Sequence, residues 1–147
     1  MHSILLVCVG NICRSPLAEA LLRQHFPDKA VHSAGLAALV GQPADSTAQD
    51  IAHIHGLDLS AHRARQLTQD MCTRADLILV MESGHQRELA ARYPLARGKI
   101  RRLGEQPGGQ DFDVVDPYQK SREAFEQAHA AIERGVDHWV QRIRQIG

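Results

Sequence analysis

Ile4 to Val9 (ILLVCV) is an unbroken apolar run closed by Gly10, and Ser15-Pro16 follows a few residues later. An unbroken run of this length is the pattern of a strand covered on both faces. Serine suits a helix N-cap, and proline suits the first helical position, where its missing N–H costs nothing, so a helix is expected to open at Ser15-Pro16. A buried strand that turns through a glycine-bearing loop into a helix is the opening unit of a parallel sheet with helices on both faces.

The rest of the chain repeats that alternation. Leu17, Ala18, Leu21, Leu22 and Phe26 fall at helical spacing before Pro27, and Ala30 to Ala34 reads as a short second strand. Gly35 to Ala44 reads as a loop, and Asp45 caps a helix through Ile51, Ala52 and Ile54 that stops at Gly56. Ala75 to Met81 is the second strong buried-strand signal, and Ser83-Gly-His-Gln86 fits a capping box that opens another helix. Lys99 to Leu103 is a weaker fourth strand, and Gly104 to Asp116 lacks periodicity and reads as a surface loop. From Ser121, the residues Phe125, Ala128, Ile132, Val136, Trp139, Val140, Ile143 and Ile146 mark a long amphipathic helix. The chain is therefore expected to form one α/β domain over residues 1–147, a parallel sheet between two layers of helices.

In such folds ligands bind beyond the carboxyl ends of the strands. The loop there is VGNICRS, Val9 to Ser15, with Cys8 at the end of the first strand. Gly10 and Asn11 are the residue types that best tolerate left-handed backbone angles, so the amides of Val9, Gly10, Asn11, Ile12, Cys13 and Arg14 can curl into an anion-binding nest. The helix N-terminus adds partial positive charge. A sulfur held in such a field is favoured as thiolate, which is the nucleophilic form, so Cys8 is the candidate nucleophile. Arg14 supplies a planar fork for two oxygens of a phosphoryl group, and Ser15 can donate its hydroxyl to the sulfur. The loop has no lysine, which excludes a Walker-type G-x4-G-K-S/T nucleotide loop.

Charge and cysteine usage narrow the classes further. Seventeen basic residues balance 17 acidic ones, which leaves no broad basic field for nucleic acid. The apolar start is too short for a membrane span and lacks the marks of a signal peptide, so a cytoplasmic protein without membrane insertion is expected. Three cysteines, Cys8, Cys13 and Cys72, do not make a secreted disulfide framework. Nine histidines include no H-E-x-x-H and no compact cysteine/histidine quartet, so no metal and no cofactor are expected, and His53 and His55 point to different sides of a helix.

CVGNICRS at Cys8 to Ser15 and DPY at Asp116 to Tyr118 together resemble the low-molecular-weight protein tyrosine phosphatase family. HSAG at His32 to Gly35, SAHRARQL at Ser60 to Leu67, DLILVM at Asp76 to Met81 and DPYQKSREAF extend the similarity over nearly the whole chain. It is most similar to the bacterial branch associated with exopolysaccharide production. The resemblance implies a four-stranded parallel sheet, a cysteinyl-phosphate intermediate, no metal, and phosphotyrosine proteins as substrates, a bacterial tyrosine autokinase among them. A monomer is expected. The rivals on this fold are arsenate reduction, which needs a relay of further cysteines where Cys72 stands alone, and a catalytically silent phosphotyrosine-binding module.

Expulsion of a phenolate, whose conjugate acid has a pKa of about 10, requires a proton donor at the bridging oxygen. Asp116 is the candidate acid and subsequent base, its direction restricted by Pro117; Asp113 is the competitor without a following proline. Tyr118 is one expected wall of a phosphotyrosine pocket. Many eukaryotic relatives place an aromatic residue opposite, where this chain has Leu36, Leu39 and Val40, so Leu39 is the expected aliphatic wall. Cys13 is either a packed side chain or a partner that captures oxidised Cys8 as a disulfide. His62 resembles a family position that supports the phosphate loop.

Overall fold

The computed structural model of the protein describes residues 1–146. Four strands, β1 (Ser3–Cys8), β2 (Ala30–Gly35), β3 (Leu77–Val80) and β4 (Ile100–Arg102), form an all-parallel sheet in the order β2-β1-β3-β4. Five helices accompany them: α1 (Arg14–His25), α2 (Ser46–Ile54), α3 (Gln69–Arg74), α4 (Ser83–Arg92) and α5 (Arg122–Ile146). A 3₁₀ turn over Pro94–Lys99 leads into β4.

The period of two along β1 divides its side chains between two cores. Ile4, Leu6 and Cys8 join Leu17, Leu22, Ile132, Trp139 and Ile143 under α1 and α5. Leu5 and Val7 join Ile78, Val80, Leu89 and Ile100 under α4. Each fully buried Leu or Ile contributes about 1.5–3 kcal/mol of transfer free energy, so both faces drive the sheet to close. The same alternation decides the orientation of the candidate nucleophile: β1 ends with Cys8 turned towards α1 and α5.

The first turn of α1 differs from the expectation. The N-cap is Cys13, which makes no side-chain capping bond, and Ser15 lies inside the helix. Its hydroxyl is withdrawn from capping because it bonds Cys8 and Asn11. The expected capping box at Ser83 is also absent: Glu82 is the N-cap, Ser83 N–H donates to Asp113 Oδ1 at 3.1 Å, and Gln86 Nε2 reaches the Ile100 carbonyl at 2.9 Å. Asp45 does cap α2, accepting from the amides of Thr47 and Ala48, and Gly56 takes φ +80° after the helix end. The loop from Gly104 to Asp116 has neither helix nor strand. Helix α3 carried no periodic signal; Cys72 is its buried residue. No helix of the described residues is long and apolar enough to cross a membrane.

Candidate active site

β1 is the inner strand between β2 and β3, so the loop from Val9 to Cys13 leaves the middle of the sheet's carboxyl edge. Every carbonyl from Cys8 to Ile12 has a partner outside the loop. Leu36 N–H donates to Cys8 O at 2.9 Å, Ala37 to Val9 O at 3.0 Å, Leu39 to Gly10 O at 3.1 Å and Asp45 to Ile12 O at 2.8 Å. His62 Nε2 completes the set on Asn11 O at 2.6 Å. In a planar trans peptide the N–H points opposite to the C=O, so tying the carbonyls outward turns the amides inward. Among the described residues the N–H groups of residues 9 to 13 have no protein acceptor, which leaves them for an anion.

Gly35 is what lets the second loop come this close, since a Cβ there would stand 2.4 Å from Val9 O. The left-handed turn of the phosphate loop falls at Asn11, with φ +61°, rather than at Gly10. Asn11 is fully buried and its side chain is saturated. Nδ2 donates to Ser15 Oγ at 2.8 Å and to Ser33 Oγ at 3.0 Å, and Oδ1 accepts from Arg65 N–H at 2.9 Å. Ser33 Oγ in turn donates a hydrogen bond to Glu19 Oε1. Because Ser15 Oγ accepts from Asn11, its hydrogen is free to point at Cys8 Sγ, 2.9 Å away.

Arg14 is 2% exposed, and its Nη1 is anchored by Glu82 Oε2 at 2.6 Å and Val114 O at 2.7 Å. Its Nη2 stands 3.7 Å from Asp116 Oδ2. Asp116 Oδ1 accepts from Tyr118 N–H at 3.1 Å, an Asx turn that fixes the carboxylate over the loop. Asp113 is drawn away by Ser83 and Arg102. Cys8, Val9, Gly10, Ile12, Cys13, Arg14, Ala37, Leu39, Asp116 and Tyr118 line one cleft of about 150 Å³. Leu36 is buried in the core with Leu5 and Val7, and Val40 is exposed to solvent; neither lines the cleft.

A buried sulfur at a ring of free amides, a buried guanidinium and a carboxylate over the mouth define a pocket for an esterified phosphoryl group. The family model described as low molecular weight phosphotyrosine protein phosphatase matches residues 3–146. The chain belongs to that family. The phosphatase is 54% identical over 147 residues to "Probable low molecular weight protein-tyrosine-phosphatase EpsP" of Ralstonia solanacearum, covering 100% of this chain and 99% of the relative. The structure of Vibrio vulnificus Wzb in complex with benzylphosphonate superimposes with a TM-score of 0.90 at 43% identity, covering 96% and 98% of the two chains. YwlE arginine phosphatase from Geobacillus stearothermophilus has a TM-score of 0.91 at 33% identity, over 99% and 94%.

Two further cysteines have defined environments. Burial pushes the Cys13 thiol far up, with the negative charge of Asp45 adding to it. Cys72 is 1% exposed and lies in the core on the opposite sheet face from Cys8, so it cannot relay electrons to that sulfur, and arsenate reduction is not favoured. Glu82 on Arg14, and Ser33 and Arg65 on Asn11, support the loop from positions that no residue-type pattern singles out. On the surface, Arg92 pairs with Glu88, Arg101 with Glu105, and Arg102 with Asp111 and Asp113.

Proposed function

We propose that the phosphatase cleaves phosphotyrosine through a phosphate carried on Cys8, with Arg14, Ser15 and Asp116 completing the chemistry. The observation that carries this reading is the hydrogen-bond chain from Asn11 through Ser15 to Cys8 Sγ, set beneath inward-facing amides. The thiolate attacks phosphorus in line while Asp116 protonates the departing phenolic oxygen. The nest from Val9 to Arg14 and the Arg14 fork carry the negative charge of the three equatorial oxygens. Asp116, now a carboxylate, takes a proton from water as that water breaks the S–P bond and releases phosphate. Ser15 steadies the sulfur as it attacks and again as it leaves.

Leu39 and Tyr118 act as the walls that admit a flat aryl ester, and His62 supports the loop by donating to Asn11 O. Cys13 can capture as a disulfide a Cys8 that peroxide has oxidised to the sulfenic acid, the Cys13 proton and the sulfenic hydroxyl leaving as water; burial keeps the Cys13 thiol protonated and that capture slow. A silent binding module would need neither nucleophile nor acid. Residues 1–147 work as a single domain and a monomer in the cytoplasm, and the substrate is a tyrosine autokinase of exopolysaccharide production.

The test is hydrolysis of p-nitrophenyl phosphate, phosphotyrosine peptide and phosphoarginine by the wild type, Cys8→Ser and Asp116→Ala. Expected are aryl phosphate turnover by the wild type, none by Cys8→Ser, and an Asp116→Ala deficit larger on the peptide than on the better leaving group. Equal turnover by wild type and Cys8→Ser, or a preference for phosphoarginine, contradicts the proposal.

A further inference from the structure

Away from the cleft, His55, His129 and Glu133 bring one ligand atom each to within 4.8 Å of one another. His55 is the C-cap residue of α2, and His129 and Glu133 are four apart on one face of α5. The Nδ1–H of His55 donates to the Ile51 carbonyl at 2.9 Å, which fixes the tautomer and leaves Nε2 with a bare lone pair. That Nε2 faces Glu133 Oε1 at 3.8 Å.

His129 is 5% exposed, and its Nε2 makes no properly directed hydrogen bond although Glu133 Oε1 lies 2.6 Å away. The two imidazole rings are stacked, with centroids 4.1 Å apart. A buried nitrogen without a well-directed hydrogen bond, a second nitrogen with a fixed lone pair and a carboxylate therefore converge on one point.

We propose that His55, His129 and Glu133 form a site for a divalent transition-metal ion of the zinc type. Imidazole nitrogens select zinc and its neighbours over magnesium or calcium. Around a tetrahedral ion with bonds of about 2.1 Å the ligand atoms stand about 3.4 Å apart, so shifts of about 1 Å by the solvent-reaching His55 and Glu133 complete the cage. The Ile51 carbonyl behind His55 is the outer-shell acceptor that such ligands use to fix ring orientation. The fourth position opens into a surface cleft whose cation, Arg122, is paired with Glu126 at 3.3 Å.

The ion would pin the end of α2 to α5. The start of α2 is tied to the phosphate loop through Asp45 N–H on Ile12 O, and His129 shares a small cavity with Cys13, Arg14 and Pro117. The clamp thus lies directly behind the anion loop.

The experiment is calorimetric titration of the full chain with Zn²⁺, and optical titration with Co²⁺, for the wild type, His55→Ala and Glu133→Gln. One equivalent of zinc should bind the wild type and raise its melting temperature. Each variant should bind about 100-fold more weakly, no less than loss of an outer-shell partner costs. The cobalt spectrum should lack the near-ultraviolet thiolate charge-transfer band, which separates this site from Cys8 and Cys13. Failure of the wild type to bind micromolar zinc, binding unchanged in the variants, or a thiolate band accounting for all bound cobalt overturns the proposal. Both substituted positions reach solvent, and either variant alone decides the question.

Discussion

Asn11→Ala removes the side chain that joins the phosphate loop to Ser15, Ser33 and Arg65. The Arg65 amide loses its acceptor, a cost of about 1–3 kcal/mol for a donor left unmade in a partly buried setting. The backbone at φ +61° then carries an alanine without the local hydrogen bonds that favour asparagine there, which adds about 1 kcal/mol. The sum, about 2–4 kcal/mol, corresponds to a fall of roughly 5–15 °C in melting temperature for a domain of this size. Asn11→Gly loses the same bonds but tolerates the angle, so it should be more stable than Asn11→Ala by about 1 kcal/mol. Both variants leave the Ser15 hydroxyl undirected, and turnover of an aryl phosphate should fall by about 100-fold, the cost of a displaced reacting group. Urea unfolding and initial rates on the three proteins measure these effects. An Asn11→Ala protein with the wild-type midpoint, or one more stable than Asn11→Gly, would mean that neither the side-chain bonds nor the left-handed angle at Asn11 contributes to stability.

Glu82→Gln keeps an acceptor for Arg14 Nη1 but deletes a negative charge beside the anion site, so inorganic phosphate should inhibit more strongly, by about fivefold for about 1 kcal/mol of relieved repulsion. Glu82→Ala frees the fork and should lower kcat/KM; unchanged inhibition constants together with full turnover would remove Glu82 from the site. Burial, with the charge of Arg14 next, lowers His85 from the ordinary value of 6.5. The unfolded chain then takes up a proton below that pH which the native chain refuses, and stability is lost as pH falls, by at most about 1.4 kcal/mol per pH unit. His85→Gln should flatten the decline measured by urea unfolding below pH 6.5, and superimposable curves for the two proteins would contradict this.

The strands were legible because ILLVC and LILV are buried on both faces and so apolar throughout, and α5 because one stripe of a 25-residue helix faces the core. Helix α3 was not, because six residues with one buried side chain hold no periodicity. At Ser15 and Ser83 the sequence rules for caps were overridden by tertiary partners, Cys8 and Asp113, that lie far off in the chain or across the loop. Cys8, Arg14 and Asp116 could be picked out because their chemistry is tied to residue type and to a strand-to-helix turn. Of the five partners of the loop carbonyls, His62 was legible through the resemblance; the other four are backbone amides, which no side-chain pattern records. The His55, His129 and Glu133 cluster was hidden for a related reason: its ligands come from two helices, and along α5 His129 reads as one more residue of the buried face.

Phosphate passes through Cys8 in the proposed reaction. Rapid quench of Asp116→Ala during turnover of p-nitrophenyl phosphate, whose leaving group needs little protonation, followed by mass spectrometry of the fragment containing Cys8 to Arg14, shows where the phosphate is held. Phosphate is expected on Cys8, at a level that rises as the water-dependent step is slowed and that vanishes in Cys8→Ser. Phosphate bound to any other residue, or turnover that persists in Cys8→Ser, would contradict it.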